Sequence, residues 1–117
     1  MFNYFVESVN HYESSYDKLV AFVEAFFTLS NDEPIVGGCP IFNAAIEMDY
    51  LINWLCGIIQ QGIVKNELAH HIEPKTVALY ILSTVEGALV ISRLHEDREV
   101  LSIIKQQLIA YLFSLSS

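Results

Sequence analysis

The residue with the clearest chemical potential is Cys39, which stands between the glycine pair Gly37-Gly38 and Pro40. Two glycines permit a tight backbone turn, and proline suits the first turn of a helix because its missing N–H would be unpaired there. The pattern therefore predicts a helix beginning at Pro40, whose dipole would favour the thiolate form of Cys39 and permit redox or electrophile sensing. The alternative, which we favour, is that Cys39 is a small residue packed beneath the turn.

Two pairs of polar residues could bind a metal or catalyse a reaction, but the spacing within each pair argues against both functions. His70 and His71 are adjacent, so on a helix their side chains would point about 100° apart and would form no ready metal clamp. Glu86 and Arg93 share one helical face two turns apart, which suits polar contacts between helices better than catalysis. The HExxH, Cys-x-x-Cys and Gly-x-Ser-x-Gly motifs are absent from the sequence, as is a phosphate-binding glycine loop. We therefore predict no enzymatic activity, no metal and no cofactor.

Charge and composition limit the partners of the chain. Six Lys and Arg residues stand against 14 Asp and Glu residues, giving a formal net charge of −8 over 117 residues. An acidic domain repels the phosphate backbone, so these residues are not expected to bind DNA themselves. The N-terminus lacks the basic region of a signal peptide, and two distant cysteines fit a reducing cytoplasm. Glu86 and Arg93 interrupt the most apolar segment, so we predict no membrane span.

The apolar spacing is helical almost throughout, which predicts an all-α bundle of about five to six antiparallel helices in one domain, residues 1–117. Residues 2–12 are predicted to end a helix, and Ser14 to cap the next one, with Asp17 at the reciprocal position. Asn66 tolerates the left-handed conformation and is a suitable helix end. Pro74 marks the first turn of a helix to about Glu96, and a last helix runs from about Arg98 to Leu115.

The last two helices carry more apolar surface than one small domain can bury. The chain is 53% hydrophobic, and the helix after Pro74 is apolar nearly all round. Such a helix must be covered on more than one side, so we predict a homodimer with a four-helix interface, two helices from each subunit. A monomer with an ordinary core helix is the alternative. The predicted interface residues are Val77, Ile81, Gly87, Ala88, Ile91, Val100, Ile104, Leu108 and Tyr111.

Aromatic residues are the candidates for a ligand pocket. A pocket between helices is typically apolar with a few convergent polar groups. Core packing is the alternative for each aromatic residue, and solvent exposure or backbone capping is the alternative for each polar one. The predicted pocket residues are Phe22, Phe26, Phe42, Asn43, Glu47, Trp54 and Tyr80, with Asn53 a further polar candidate.

Three blocks in this order carry a family resemblance. The first is the Gly-Gly-Cys-Pro segment at residues 37–40; the second joins Trp54 to the Gly-Ile-Val-Lys-Asn-Glu-Leu string at 62–68; the third is Glu-Gly-Ala through Ser-Arg-Leu at 86–94. Together they resemble the C-terminal domain of TetR-family (tetracycline-repressor-like) transcriptional regulators over roughly residues 14–115. The resemblance implies a cytoplasmic homodimer formed by the last two helices, an unknown small-molecule effector, and operator DNA bound by an N-terminal helix-turn-helix, commonly for repression.

The chain departs from this family pattern at two places. It carries no helix-turn-helix headpiece, so we expect it to be part of a longer regulator, with a headless relative as the alternative. Family members also have a longer connection before the tryptophan helix, whereas here Asp49 runs into Tyr50 without Gly or Pro. We expect that the residues of a loop between Asp49 and Tyr50 are missing from this sequence. The alternatives are a true deletion and a continuous helix from Pro40 to Lys65.

The sequence therefore predicts the ligand-responsive regulatory and dimerisation domain of a TetR-like regulator. The main alternative is a headless helical homodimer that binds small molecules or serves as a scaffold without DNA. A helical-bundle enzyme is the third class, and the sequence nominates no residue for its chemistry.

Overall fold

A computed structural model describes the backbone of residues 2–32 and 45–117, and the side chains of residues 4–28 and 48–117. The described residues form five helices and no strand. The helices are α1 (Phe2–Val9), α2 (Ser15–Asp32), α3 (Ala45–Val64), α4 (Pro74–His95) and α5 (Glu99–Ser114). In this bundle α1 packs on α2, α2 contacts α3 and α5, and α4 lies between α3 and α5. The predicted all-α architecture is thereby confirmed.

The start of α2 is fixed by two serines. Ser14 caps the helix as predicted, because its Oγ accepts a hydrogen bond from the Asp17 N–H at 3.0 Å. Ser15 is buried, and its Oγ donates to the Ile58 carbonyl of α3 at 2.7 Å. A buried hydroxyl without such a partner would cost about 1–3 kcal/mol, so this bond favours one register of α2 against α3.

Helix α3 passes through Asp49 and Tyr50 without interruption. The sequence as it stands therefore forms a continuous helix from Ala45 to Val64. Asn66 ends the helix as predicted, with φ 63° in the left-handed region. The Glu67 N–H bonds the Gly62 carbonyl at 2.8 Å and the Asn66 N–H bonds the Ile63 carbonyl at 3.1 Å, which together form a Schellman ending.

Gly62 lies where α2, α3 and the loop after α3 approach most closely. A Cβ at this position would stand 2.7 Å from Ser15 Cβ and 2.7 Å from Leu68 Cδ1. Leu68 itself is fully buried. Only glycine leaves room for both neighbours, so the end of α3 is a point of close packing between three segments.

Helix α4 supplies the centre of the core. Pro74 occupies its first turn, as predicted, and a broad face that includes Ile81 and Val85 is buried. Within the described part of the chain, α4 is also long and apolar enough to cross a membrane by length and composition alone. The sequence-based exclusion of such a segment was therefore too strict, because Glu86 and Arg93 do not interrupt it enough. A core helix passes the same test, and α4 is packed as one.

The last residues after α5 pair with the loop after α3. The Ala69 N–H donates to the Leu115 carbonyl at 2.9 Å, and the Ser117 N–H donates to the Glu67 carbonyl at 3.1 Å. Leu68 and Ser116 form an isolated antiparallel bridge between these two segments. The C-terminal end of α5 is thus attached to the α3–α4 connection.

Substituting Gly62 and Gly57 separates close packing from intrinsic helix propensity, because both glycines lie in α3. Gly62→Ala should lower the free energy of unfolding by about 1–3 kcal/mol, since its methyl group would displace Ser15 and Leu68. Gly57→Ala should be neutral or stabilising by up to about 1 kcal/mol, because a Cβ there meets nothing within 4 Å. Urea unfolding of both variants is the measurement. An equal response would contradict the packing role of Gly62.

Candidate functional site on helices α4 and α5

The outer faces of α4 and α5 expose several large apolar residues to solvent. On α4, Tyr80, Ile91 and Leu94 are 48%, 46% and 77% exposed, and helical spacing places them with Gly87 on one stripe. On α5, Ile103 is 55% exposed and lies on a stripe of residues next to the α4 stripe. We name this region the α4–α5 surface. Its members are Tyr80, Ser83, Gly87, Val90, Ile91, Leu94, Val100, Ile103, Gln107, Ala110 and Tyr111.

A pair of tyrosines joins the two stripes at one end. The rings of Tyr80 and Tyr111 have centroids 4.6 Å apart and are tilted by 53°. Burial, and secondarily the neighbouring Tyr80, raises the pKa of Tyr111 above its ordinary value. Tyr111 therefore stays neutral at physiological pH, and the two tyrosines add polar hydroxyls to the surface.

The predicted interface residues divide into two groups. Gly87, Ile91, Val100, Ile104 and Tyr111 are partly or well exposed beside one another. Val77, Ile81, Ala88 and Leu108 are instead at most 4% exposed, because they pack in the core of the same chain. These four have almost no surface left for a partner, which corrects their assignment to an outer face. Helix α4 is apolar on both sides, so the sequence pattern could not separate its core face from its outer face.

Exposed neighbours replace those four residues on the α4–α5 surface. Val90, Leu94 and Ile103 were absent from the predicted set, although each is about half exposed or more. Tyr80, predicted to line a ligand pocket, also belongs to this surface. Helical spacing from Gly87 and Ile91 could have identified Leu94, which lies seven and three residues further along the same stripe.

The structure brings three of the predicted pocket aromatics together. Phe22 and Trp54 meet edge to face with ring centroids 5.9 Å apart, and Phe22 and Phe26 lie 6.3 Å apart. Phe5 of α1, which the sequence did not nominate, completes the cluster at 5.0 Å from Phe22. Phe5, Phe22 and Phe26 are at most 2% exposed. We refer to Phe5, Phe22, Phe26 and Trp54 as the aromatic cluster, and in this conformation its rings pack against each other.

Several nominated residues are not placed in the aromatic cluster. Asn53 is exposed on α3. Cys39, Phe42 and Asn43 lie outside the described residues, as does the side chain of Glu47.

Clefts also open elsewhere on the described part of the bundle. One of about 430 Å³ lies between α2 and α5 and is lined by Phe27, Thr28, Arg98, Leu101, Ser102 and Lys105. A second, of about 330 Å³, lies between α1 and α2 and includes Tyr4, Tyr12 and Glu24. Lys105 Nζ lies 2.7 Å from Glu24 Oε2, so this lysine at the first cleft is paired across the α2–α5 contact.

Metal-binding side chains do not converge in the described part of the chain: no three His, Cys, Asp or Glu residues come together there. His70 Nε2 lies 2.6 Å from Asn66 Oδ1 instead. Burial raises the pKa of the Cys56 thiol, partly opposed by Lys75, so this cysteine on α3 remains protonated.

Glu86 on α4 is a partly buried acidic residue. Its Oε2 atom is buried and has no hydrogen-bond partner there. Burial raises the pKa of this carboxyl, and Arg93 on the same helix face offsets part of the rise. The ionised form is therefore destabilised in the folded chain relative to the unfolded chain.

We expect Glu86→Gln to flatten the pH dependence of stability. An acid whose folded pKa is raised costs no stability below its ordinary pKa of 4.5. The cost then grows as the pH rises through the raised value and is complete above it. Glu86→Gln removes this loss, and urea unfolding between pH 4 and pH 8 is the measurement. Glu13→Gln, at an exposed position, is the control. Identical pH profiles for wild type and Glu86→Gln would contradict the assignment.

Comparison with known proteins supports the fold that the sequence predicts. The chain matches no protein-family profile and no curated protein sequence. It is similar to the crystal structure of a TetR transcriptional regulator from Chloroflexus aurantiacus J-10-FL, with 25% identity and a TM-score of 0.86. It is also similar in fold to a TetR-family transcriptional regulator from Cytophaga hutchinsonii, with 21% identity and a TM-score of 0.79. Both alignments cover 98% of this chain but only 66% and 65% of the two regulators, so the chain spans about two thirds of their length. The chain therefore has the fold of a C-terminal domain of TetR-family transcriptional regulators, as the order of its motifs predicted.

Proposed function

We propose that this chain is the ligand-responsive regulatory and dimerisation domain of a TetR-like transcriptional regulator, and that it forms a homodimer through the α4–α5 surface. The observation that carries the proposal is the exposure of several large apolar side chains on the last two helices of this fold. Leu94 at 77% and Ile103 at 55% exposure are side chains that a single copy leaves in water.

Burying this surface against a second copy would provide the stabilisation that dimerisation requires. Each fully buried Leu or Ile contributes about 1.5–3 kcal/mol, and a two-fold axis lets one stripe meet its own copy. Gly87 lies at the middle of the α4 stripe and has nothing within 4 Å of its missing Cβ. An opposing helix could therefore approach α4 closely at that point.

Dimerisation would fix the distance between two DNA-reading headpieces, which must match the half-site spacing of an operator. The acidic character of the chain, with its net charge of −8, supports the assignment of DNA binding to residues outside it. The domain itself would contribute geometry and ligand response. Because the similar solved structures are transcriptional regulators, neither a headless scaffold nor an enzyme is favoured.

We propose that the effector site lies at the aromatic cluster, and the sequence also predicts Phe42, Asn43 and Glu47 as members of this site. Because Phe22 and Phe26 pack against each other, a ligand would have to open these contacts and would thus bind a second arrangement of the helices. Such a ligand shifts the population only as far as its affinities for the two arrangements differ. Phe5 couples the cluster to α1, so opening it would move the first helix of the domain.

Solution mass tests the dimer directly. Light scattering should give twice the chain mass of 13.3 kDa. The double variant Leu94→Glu, Ile103→Glu should shift the mass to that of one chain, since charges at the centre of an apolar interface cannot be solvated there. Both side chains are exposed in the single chain, so the variant is expected to keep its helical circular dichroism.

Val64→Glu is the matched control, because Val64 is 70% exposed but lies on α3, outside the α4–α5 surface. It should leave the mass at two chains. A monomeric wild type, or a dimer dissociated only by Val64→Glu, would contradict the proposed interface.

A further inference from the structure

The loop after α3 is held by three hydrogen bonds to the end of α5. We name residues 66–69 the 66–69 loop and residues 115–117 the C-terminal segment. In addition to the two backbone bonds that form the Leu68–Ser116 bridge, the Ser117 Oγ donates to the Asn66 carbonyl at 2.7 Å. Any displacement of the end of α5 therefore acts on this loop through several bonds at once.

The same loop reaches the beginning of α2 through Glu67. The Ser15 N–H points at the Glu67 carboxylate, 3.2 Å from Oε2 and 3.3 Å from Oε1. A carboxylate at a helix N-terminus also interacts favourably with the helix dipole, which strengthens this contact. Ser15 immediately follows the turn between α1 and α2, so Glu67 holds the turn to the end of the bundle.

Close packing prevents the 66–69 loop from absorbing a displacement by itself. Leu68 is fully buried, and both Leu68 and Ser15 fill the space that a Cβ of Gly62 would need. Densely packed side chains transmit strain because they leave no free volume for local adjustment. The loop can thus move only together with the start of α2 or the end of α3.

We infer that Glu67 and the C-terminal segment form a conformational link that carries the position of α5 to the α1–α2 turn. Resting on the proposed function, this link would couple the dimer surface on α5 to the first helix of the domain, from which a headpiece would extend. Glu67 acts as a positioning residue in this link: its backbone carbonyl bonds the C-terminal segment and its carboxylate bonds α2.

Amide hydrogen exchange at Ser15, followed by NMR on the intact chain, tests the link. Ser117→Pro removes the N–H that donates to Glu67 and the hydroxyl that donates to Asn66. It should accelerate exchange of the Ser15 amide by about fivefold or more, because the 66–69 loop would lose two of its hydrogen bonds to the C-terminal segment. Ser114→Ala, which removes the hydroxyl bonded to the Tyr111 carbonyl within α5, is the control and should leave the Ser15 amide unchanged.

A second comparison in a Glu67→Ala background identifies the route. In that background the Ser15 amide should already exchange faster, and Ser117→Pro should add nothing further, because the connection has been removed. No response of Ser15 to Ser117→Pro would overturn the link, and so would an equal acceleration with and without Glu67. Exchange is measured without DNA or effector, so either of these results would contradict the link without contradicting the proposed function. Conversely, a monomeric chain would contradict the proposed dimer without contradicting the link.

Discussion

Three segments of the chain meet at Gly62, where a Cβ would lie 2.7 Å from both Ser15 Cβ and Leu68 Cδ1. The missing side chain lets the start of α2 rest on the end of α3, and it lets the following loop turn back into the core. Once that loop is in place, Glu67 reaches the first amide of α2 and the C-terminal segment pairs alongside. The relative positions of α2, α3 and α5 therefore depend on one close approach, which few substitutions could preserve.

Helix α4 gives this bundle both its core and its outer apolar surface. One face, including Ile81 and Val85, is buried, while Tyr80 and Leu94 remain exposed on the other. A helix with two apolar faces lowers the solubility of a single chain, because one face stays exposed to water. In the proposed dimer, a second copy would bury that outer face. The acidic charge of the chain is compatible with the proposed dimerisation, because contact between two copies does not require attraction to the phosphate groups of DNA.

Local chemistry explains which parts of the fold could be predicted from sequence. Ser14, Asn66 and Pro74 act on backbone groups within a few residues, so the helix boundaries that they predict are confirmed. The bond from Ser15 to Glu67 spans 52 residues and has no local signal. The exposed residues of α4 and α5 were predicted only partly, because periodicity cannot tell which face of an apolar helix its own chain covers. The family resemblance predicted the fold, whereas the residues of the α4–α5 surface could be identified only from the structure.

The most direct test of the central claim is an intermolecular distance. A spin label at Leu94→Cys, in a background with Cys39 and Cys56 replaced by serine, should report a short label-to-label distance between two copies by pulsed electron paramagnetic resonance. A label at Val64→Cys, equally exposed on α3, should report a clearly longer distance. If the Val64 labels lie closer together than the Leu94 labels, or if neither position shows dipolar coupling, the α4–α5 surface is not where the copies meet.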